Sequence, residues 1–191
     1  SCVELMDHKC LHLVAELLPF APRGGLTSLL LVETDGDEAS AAADMACVTD
    51  ACRKMSAMEV LPAEDEAARE RMWDVRRRIS TRIHEAAALY VSEDVAVPLA
   101  YIPELIASVG VYEREFGLSV YAFGHAGDGN IHLNMIAETL EPDTRERMDK
   151  LVERVLHAVL NLGGTISGEH GLGLAKKRFA PMEHVSYTHL A

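Results

Sequence analysis

The chain has 191 residues, with 18 Lys+Arg against 30 Asp+Glu for a formal net charge of −12, and 49% of it is hydrophobic. This composition is globular rather than disordered or fibrous, and the length suffices for one self-supporting core. The acidic balance excludes nucleic acid and an anionic membrane surface as main partners, since both are bound through Lys and Arg, and no apolar run approaches the roughly 18 residues that span a bilayer.

Ser1 to Asp7 carry neither the basic nor the apolar stretch of a secretory signal. The chain does not open with Met, and it reads as an internal piece of something longer. Cys2, Cys10, Cys47 and Cys52 have no CxxC or metal-ligand spacing and read as small buried hydrophobes kept reduced. Thr27 to Glu33, after the turn cluster Pro22 to Gly25, is an apolar run that predicts a buried strand. Glu38 to Lys54 is Ala-rich and free of Gly and Pro, which predicts a helix. Ala57 to Leu61 reads as a short strand ended by Pro62. Glu64 to Leu89 reads as a long helix whose acidic opening suits the positive end of the helix dipole. Val91 to Val97 reads as a strand stopped by Pro98, and Ile102 to Phe116 as a helix closed by Gly117. Two strands, Ser119 to Phe123 and Ile131 to Ile136, flank a Gly-rich turn. The last long helix, Asp143 to Leu162, spaces Met148, Leu151, Val152, Val155 and Val159 along one face and stops at Gly163-Gly164. The order predicts an α+β fold, an antiparallel sheet covered by helices.

Two glycine-rich segments carry histidines. In Gly124-His125-Ala126-Gly127-Asp128-Gly129-Asn130-Ile131-His132-Leu133-Asn134, the Asp128-Gly129 pair signals a hairpin. A two-residue turn there sets His125 opposite His132 and Phe123 opposite Asn134, with facing Cβ atoms about 5 Å apart. The two-residue period then puts His125, His132 and Asn134 on one face and Ile131, Leu133 and Met135 on the apolar one. Two imidazoles that close suit a divalent metal; two ordinary strand histidines, satisfied by neighbours, are the alternative. The second segment, Gly163-Gly164-Thr165-Ile166-Ser167-Gly168-Glu169-His170-Gly171-Leu172-Gly173, allows unusual backbone angles and close approach of a ligand. Its GxxGxG order is not the dinucleotide-binding GxGxxG, no Walker A loop exists, and His84-Glu85 lacks the second His of HExxH.

These two segments, in this order and separated by a helix, resemble the C-terminal cap domain of FAD-linked 2-hydroxyacid oxidoreductases. That is the vanillyl-alcohol-oxidase-type group of glycolate oxidase D subunits, D-lactate dehydrogenases and D-2-hydroxyglutarate dehydrogenases. Met72-Trp73-Asp74-Val75-Arg76 resembles the family's Trp-x-x-Arg helix, and Ser92 to Pro98 its acidic-strand-proline stretch. The resemblance implies a ferredoxin-like cap domain over residues 1–180, an atypical tail over 181–191, and an FAD-binding domain that this chain lacks. It implies that His125, His132 and Glu169 hold a divalent metal, most simply zinc, and that His170 is the general base for the α-hydroxyl proton. Arg76 would bind the substrate carboxylate and Asn134 would hydrogen-bond the substrate, with Ser80, one turn beyond Arg76, also facing the site. Trp73 reads as core, Asp128 as a turn residue, and Arg77 and Arg78 as a solvated face.

The implied reaction is oxidation of a 2-hydroxy acid to a 2-oxo acid with hydride transfer to FAD. The implied partners are that substrate, the FAD-binding domain of the same full-length chain and an electron acceptor whose identity the sequence leaves open. The implied location is the cytoplasm, including the inner face of the membrane. A non-catalytic metal-binding module that keeps the cap fold is the first alternative, and a metal-dependent hydrolase the second. The 191-residue piece alone is expected neither to retain FAD nor to oxidise anything.

Overall fold

A computed structural model describes residues 1–20, 28–63, 65–169, 171 and 178–184. Five strands, β1 (Cys2–Asp7), β2 (Ser28–Glu33), β3 (Leu89–Ala96), β4 (Ser119–His125) and β5 (Asn130–Ala137), form one antiparallel sheet in the order β2-β1-β4-β5-β3. The helices are α1 (His8–Leu13), α2 (Glu38–Lys54), α3 (Glu66–Ala86), α4 (Ile102–Phe116), α5 (Thr144–Asn161) and α6 (Ala180–His184). The α+β arrangement expected from the sequence is the one observed. Among the described residues no helix is long and apolar enough to cross a membrane.

The pleat divides the sheet into two faces. One face turns Leu5, Val95, Val120, Ala122, Ile131, Leu133 and Met135 toward α4 and α5, whose Leu105, Val109, Leu151, Val155 and Val159 complete the main core. The other face turns Met6, Phe123 and Ile136 toward α1 and α3, where Cys10, Leu11, Val75, Ile79 and Ile83 close a second, smaller core. Asp7 ties these layers together: one carboxylate oxygen accepts from Cys10 N at 2.8 Å and caps α1, and the other accepts from Ala122 N at 2.9 Å on β4. Asp65 caps α3 through Ala68 N, and Gly117, at φ +60°, ends α4 as expected.

Three expectations need correction. The first residues are β1 and α1, which the sequence reading did not assign. Residues 57–61 form no strand: Met58 and Leu61 stand 58% and 55% exposed in an irregular connection. The β4-β5 register also differs, because Phe123, not His125, faces His132, and Tyr121 faces Asn134. The cause is a four-residue turn, Ala126 to Gly129, in place of the two-residue one, with Asp128 N donating to His125 O at 3.0 Å. Gly127 N donates to Val3 O at 3.1 Å, which pins the turn to β1. Gly129 sits at φ +78° with a Cβ position only 2.2 Å from Val97 O, so the turn takes no side chain there. The shift is by two residues, so facing survives: His125, His132 and Asn134 share one side of the sheet. Of the four cysteines, all free, only Cys10 is buried, and that burial pushes its thiol well above the usual range.

Candidate functional site

The second face is apolar under α1 and the C-terminal half of α3, and polar toward the Ala126–Gly129 turn. Four neighbouring strands each bring one ionisable side chain to that polar end. Glu4 on β1 pairs in register with His125 on β4, and Asp94 on β3 pairs in register with His132 on β5. The His125 and His132 rings lie 5.6 Å apart between centroids, edge to face.

Each imidazole has a carboxylate on Nδ1. Glu4 Oε1 is hydrogen-bonded to His125 Nδ1, and Asp94 Oδ1 lies 3.1 Å from His132 Nδ1. A carboxylate accepts only, so the hydrogen bond to Glu4 puts a proton on His125 Nδ1, whereas Asp94 is a close neighbour of the His132 ring. His125 Nε2 lies 3.8 Å from Glu169 Oε2. The three expected donors therefore approach one another without forming a closed donor set, and among the described residues no three His, Cys, Asp or Glu side chains do so. The chemistry of the donors nonetheless suits a divalent ion, because an imidazole held at Nδ1 by a carboxylate is the usual form of a metal-ligating histidine.

Arg76 stands on α3 above this row. Its Nε donates to Glu4 Oε2 at 2.8 Å, and the guanidinium lies 4.4 Å over the Phe123 ring. Glu4 is 2% exposed, so one buried carboxylate serves both Arg76 and His125. The Nη edge of Arg76 makes no hydrogen bond among the described residues, and it keeps the planar fork that a second carboxylate can enter. Arg77 and Arg78 point away and pair with Glu70 and Asp74 at the surface. Trp73 is half-buried and donates Nε1 to Glu33 at 2.7 Å, joined there by Arg69 at 2.9 Å. These two donors hold the Glu33 carboxyl below its ordinary range.

Asn134 is buried, its Oδ1 accepts from Tyr90 Oη at 2.6 Å and Ser92 Oγ at 3.2 Å, and its Nδ2 donates to Tyr121 O at 3.5 Å, which leaves one amide N–H without a partner among the described residues. Ser80 is half-buried on α3, one turn from Arg76. The glycine-rich segment runs along the β3 edge: Thr165 exchanges two backbone hydrogen bonds with Ala96, and Gly168 N donates to Asp94 O at 3.1 Å. A Cβ on Gly168 would meet Asp94 Oδ1 and Asn130 Nδ2, each at 2.5 Å, so glycine is what lets Glu169 approach the row. His170 lies outside the described residues. A cleft of 480 Å³ opens beside this end, between the turn and α2, with Glu4, His125 and Asp128 in its wall.

Glu4, Tyr90, Ser92 and Asp94 are the site residues that sequence reasoning missed, the last two having been read only as part of the Ser92 to Pro98 stretch. A short apolar stretch, Val3 to Met6, followed by Asp7 as a helix cap was the available signal for Glu4.

Residues 1–186 match the family described as FAD linked oxidases, C-terminal domain. The chain is similar to glycolate oxidase subunit GlcD of Bacillus subtilis, 26% identical over 183 residues that cover 96% of this chain and 39% of that protein. It is similar to GlcD of Escherichia coli K12, 29% identical over 91% of this chain and 35% of that protein. It is also similar to a D-2-hydroxyglutarate dehydrogenase of Xanthomonas citri, 30% identical over 75% of this chain and 31% of that protein. The chain thus spans between a third and two fifths of the length of the glycolate oxidase subunits it matches. Matched along nearly its whole length, it belongs to the FAD-linked oxidase C-terminal domain family.

Proposed function

We propose that this chain is the substrate-side domain of an FAD-dependent oxidoreductase that converts a 2-hydroxy acid, of glycolate or D-lactate type, into a 2-oxo acid. The observation that carries the reading is the row Glu4–His125–His132–Asp94 with Arg76 poised above it, in a domain of this family. The names of the relatives support the substrate class.

In this reading Arg76 binds the substrate carboxylate through its Nη edge, while its Nε stays on Glu4. The Asn134 amide donates to the substrate, since its carbonyl is already occupied, and Ser80 lines the same side. His125, His132 and Glu169 would hold a divalent ion, zinc in the simplest case. His170 takes the proton of the α-hydroxyl. When bound, a divalent ion supplies charge that makes that hydroxyl a stronger acid, and the flavin supplies the hydride acceptor. The FAD-binding domain of the same full-length chain closes the pocket from the other side, in the cytoplasm or at the inner face of the membrane.

The test is anaerobic bleaching of the flavin in the full-length protein by a panel of D- and L-2-hydroxy acids, repeated after chelation. Bleaching by one hand of a short 2-hydroxy acid, lost on chelation and in His132→Ala, is expected. A flavin untouched by every acid of the panel overturns the oxidoreductase reading. Bleaching that survives full metal removal overturns the metal. Recovery of the 191-residue piece with stoichiometric flavin overturns the division of labour between the domains.

A further inference from the structure

The buried carboxylate of Glu4 has a geometry that a simple ion-pair partner does not need. It is 2% exposed, it comes from the edge-ward neighbour of β4, and its two oxygens are divided between two different donors. Oε1 takes His125 Nδ1–H and Oε2 takes Arg76 Nε–H at 2.8 Å. We propose that Glu4 is a positioning residue that couples the two halves of substrate recognition. One oxygen fixes His125 for the metal, and the other fixes Arg76 for the substrate's carboxylate. The inference rests on the function proposed above and adds to it a residue outside both glycine-rich segments.

His125 can present an Nε2 lone pair toward Glu169 only if its proton sits on Nδ1, and a proton there needs a buried acceptor. Arg76 lies over Phe123 with its Nε edge turned to Glu4, so the opposite, Nη edge is the one presented to a ligand. A side chain serving both must offer two acceptors to two donors, which a carboxylate does and an amide does not. The fold sets a counterpart on the other flank, where Asp94 Oδ1 lies 3.1 Å from His132 Nδ1 and accepts from Asn130 Nδ2 at 2.8 Å. The two middle strands thus carry the imidazoles, and the strands outside them carry the groups that orient them.

Glu4→Gln makes the test sharp, because Gln brings one acceptor and one donor where two donors already point. Either His125 or Arg76 loses its partner. In the full-length protein, Zn²⁺ affinity measured by chelator competition is expected to fall 10- to 100-fold. The KM for the 2-hydroxy acid is expected to rise by more than kcat falls. Glu4→Asp, which keeps two acceptors, is expected to recover part of both. The double variant Glu4→Gln/Arg76→Met frees the Gln oxygen for His125 alone, so zinc affinity should return toward the parent value while KM stays high. It also removes both charges of the buried pair, which keeps the test open where the single variant does not fold.

Asp7→Asn is the control. It loses a buried carboxylate whose hydrogen bonds run to Cys10 and Ala122, away from His125 and Arg76, and it should lower thermal stability without moving zinc affinity or KM. Parent-like zinc affinity and KM in Glu4→Gln, or a double variant as weak for zinc as the single one, overturns the inference and leaves the proposed function standing. Failure of the parent protein to bind Zn²⁺ overturns the metal reading, and this inference with it.

Discussion

The two faces of the β4-β5 hairpin are built from alternate residues of the same strands, yet they answer to different constraints. On one face Ile131, Leu133 and Met135 are fully buried under α4 and α5, and none has a polar partner to find. On the other, His132 and Asn134 sit between the same residues and are held by Asp94, Tyr90 and Ser92, side chains that do nothing for the main core. The apolar face needs volume and shape, and many side-chain combinations satisfy it. The polar face needs a donor for every acceptor in a buried setting, which few combinations satisfy. The difference explains how one hairpin can be both the centre of the fold and the floor of a site.

Substitutions on each face should separate stability from binding. The largest effect is expected from Arg76→Met, which leaves the Glu4 carboxylate buried and with only His125 as partner. Breaking such a pair costs about 3–5 kcal/mol, and here the KM for the 2-hydroxy acid should rise as well, so denaturant midpoints and steady-state kinetics should move together. Leu133→Ala on the opposite face should cost about 2–5 kcal/mol and leave KM unchanged at temperatures where the protein is folded. A raised KM in Leu133→Ala would break the distinction between the faces. Gly129→Ala comes next. It places a Cβ against Val97 O at φ +78°, a strain of roughly 1–3 kcal/mol, and it should lower the melting temperature. Because this turn carries His125 at its start, Gly129→Ala should also weaken zinc retention, more than Leu133→Ala does.

How far the sequence showed all this follows from the same contrast. Elements fixed by local chemistry were legible: α2 runs from Glu38 to Lys54 as its Ala-rich stretch predicts, and Gly117 ends α4. The shared face of His132 and Asn134 was legible too, because a two-residue period needs no partner strand, and His125 kept that face because the register moved by an even number of residues. The register itself was not legible, because Val3 and Val97, both distant in sequence, decide the turn through Gly127 and Gly129. Glu4 escaped notice for a related reason. One acidic residue inside the short apolar stretch Val3 to Met6 looks like a solvent-facing position until β4 and α3 are placed on either side of it. The apolar stretch 57–61 misled in the opposite sense, since it has the composition of a strand but runs as an exposed, irregular connection.

The smallest prediction concerns the rim of the polar face, where α3 meets β2. Glu33 accepts from Trp73 and Arg69, and their donors hold its carboxyl below the ordinary range. A carboxyl whose folded-state value is depressed contributes stability that is present above its unfolded value, near 4.3 for Glu, and is lost as pH falls through the folded value. Arg69 is 43% exposed, so water screens the pair and the contribution stays below about 1 kcal/mol. Glu33→Gln should therefore lower the urea midpoint slightly at about pH 7, and the gap to the parent should close as the pH falls below about 4. No gap at either pH value would mean that the Trp73 N–H bond, which Gln can still accept, and not the ionised carboxylate, is what fastens α3 to β2. The rim would then be held by neutral hydrogen bonding, like Asn134, and the ionic holding seen at Glu4 would be confined to the centre of the face.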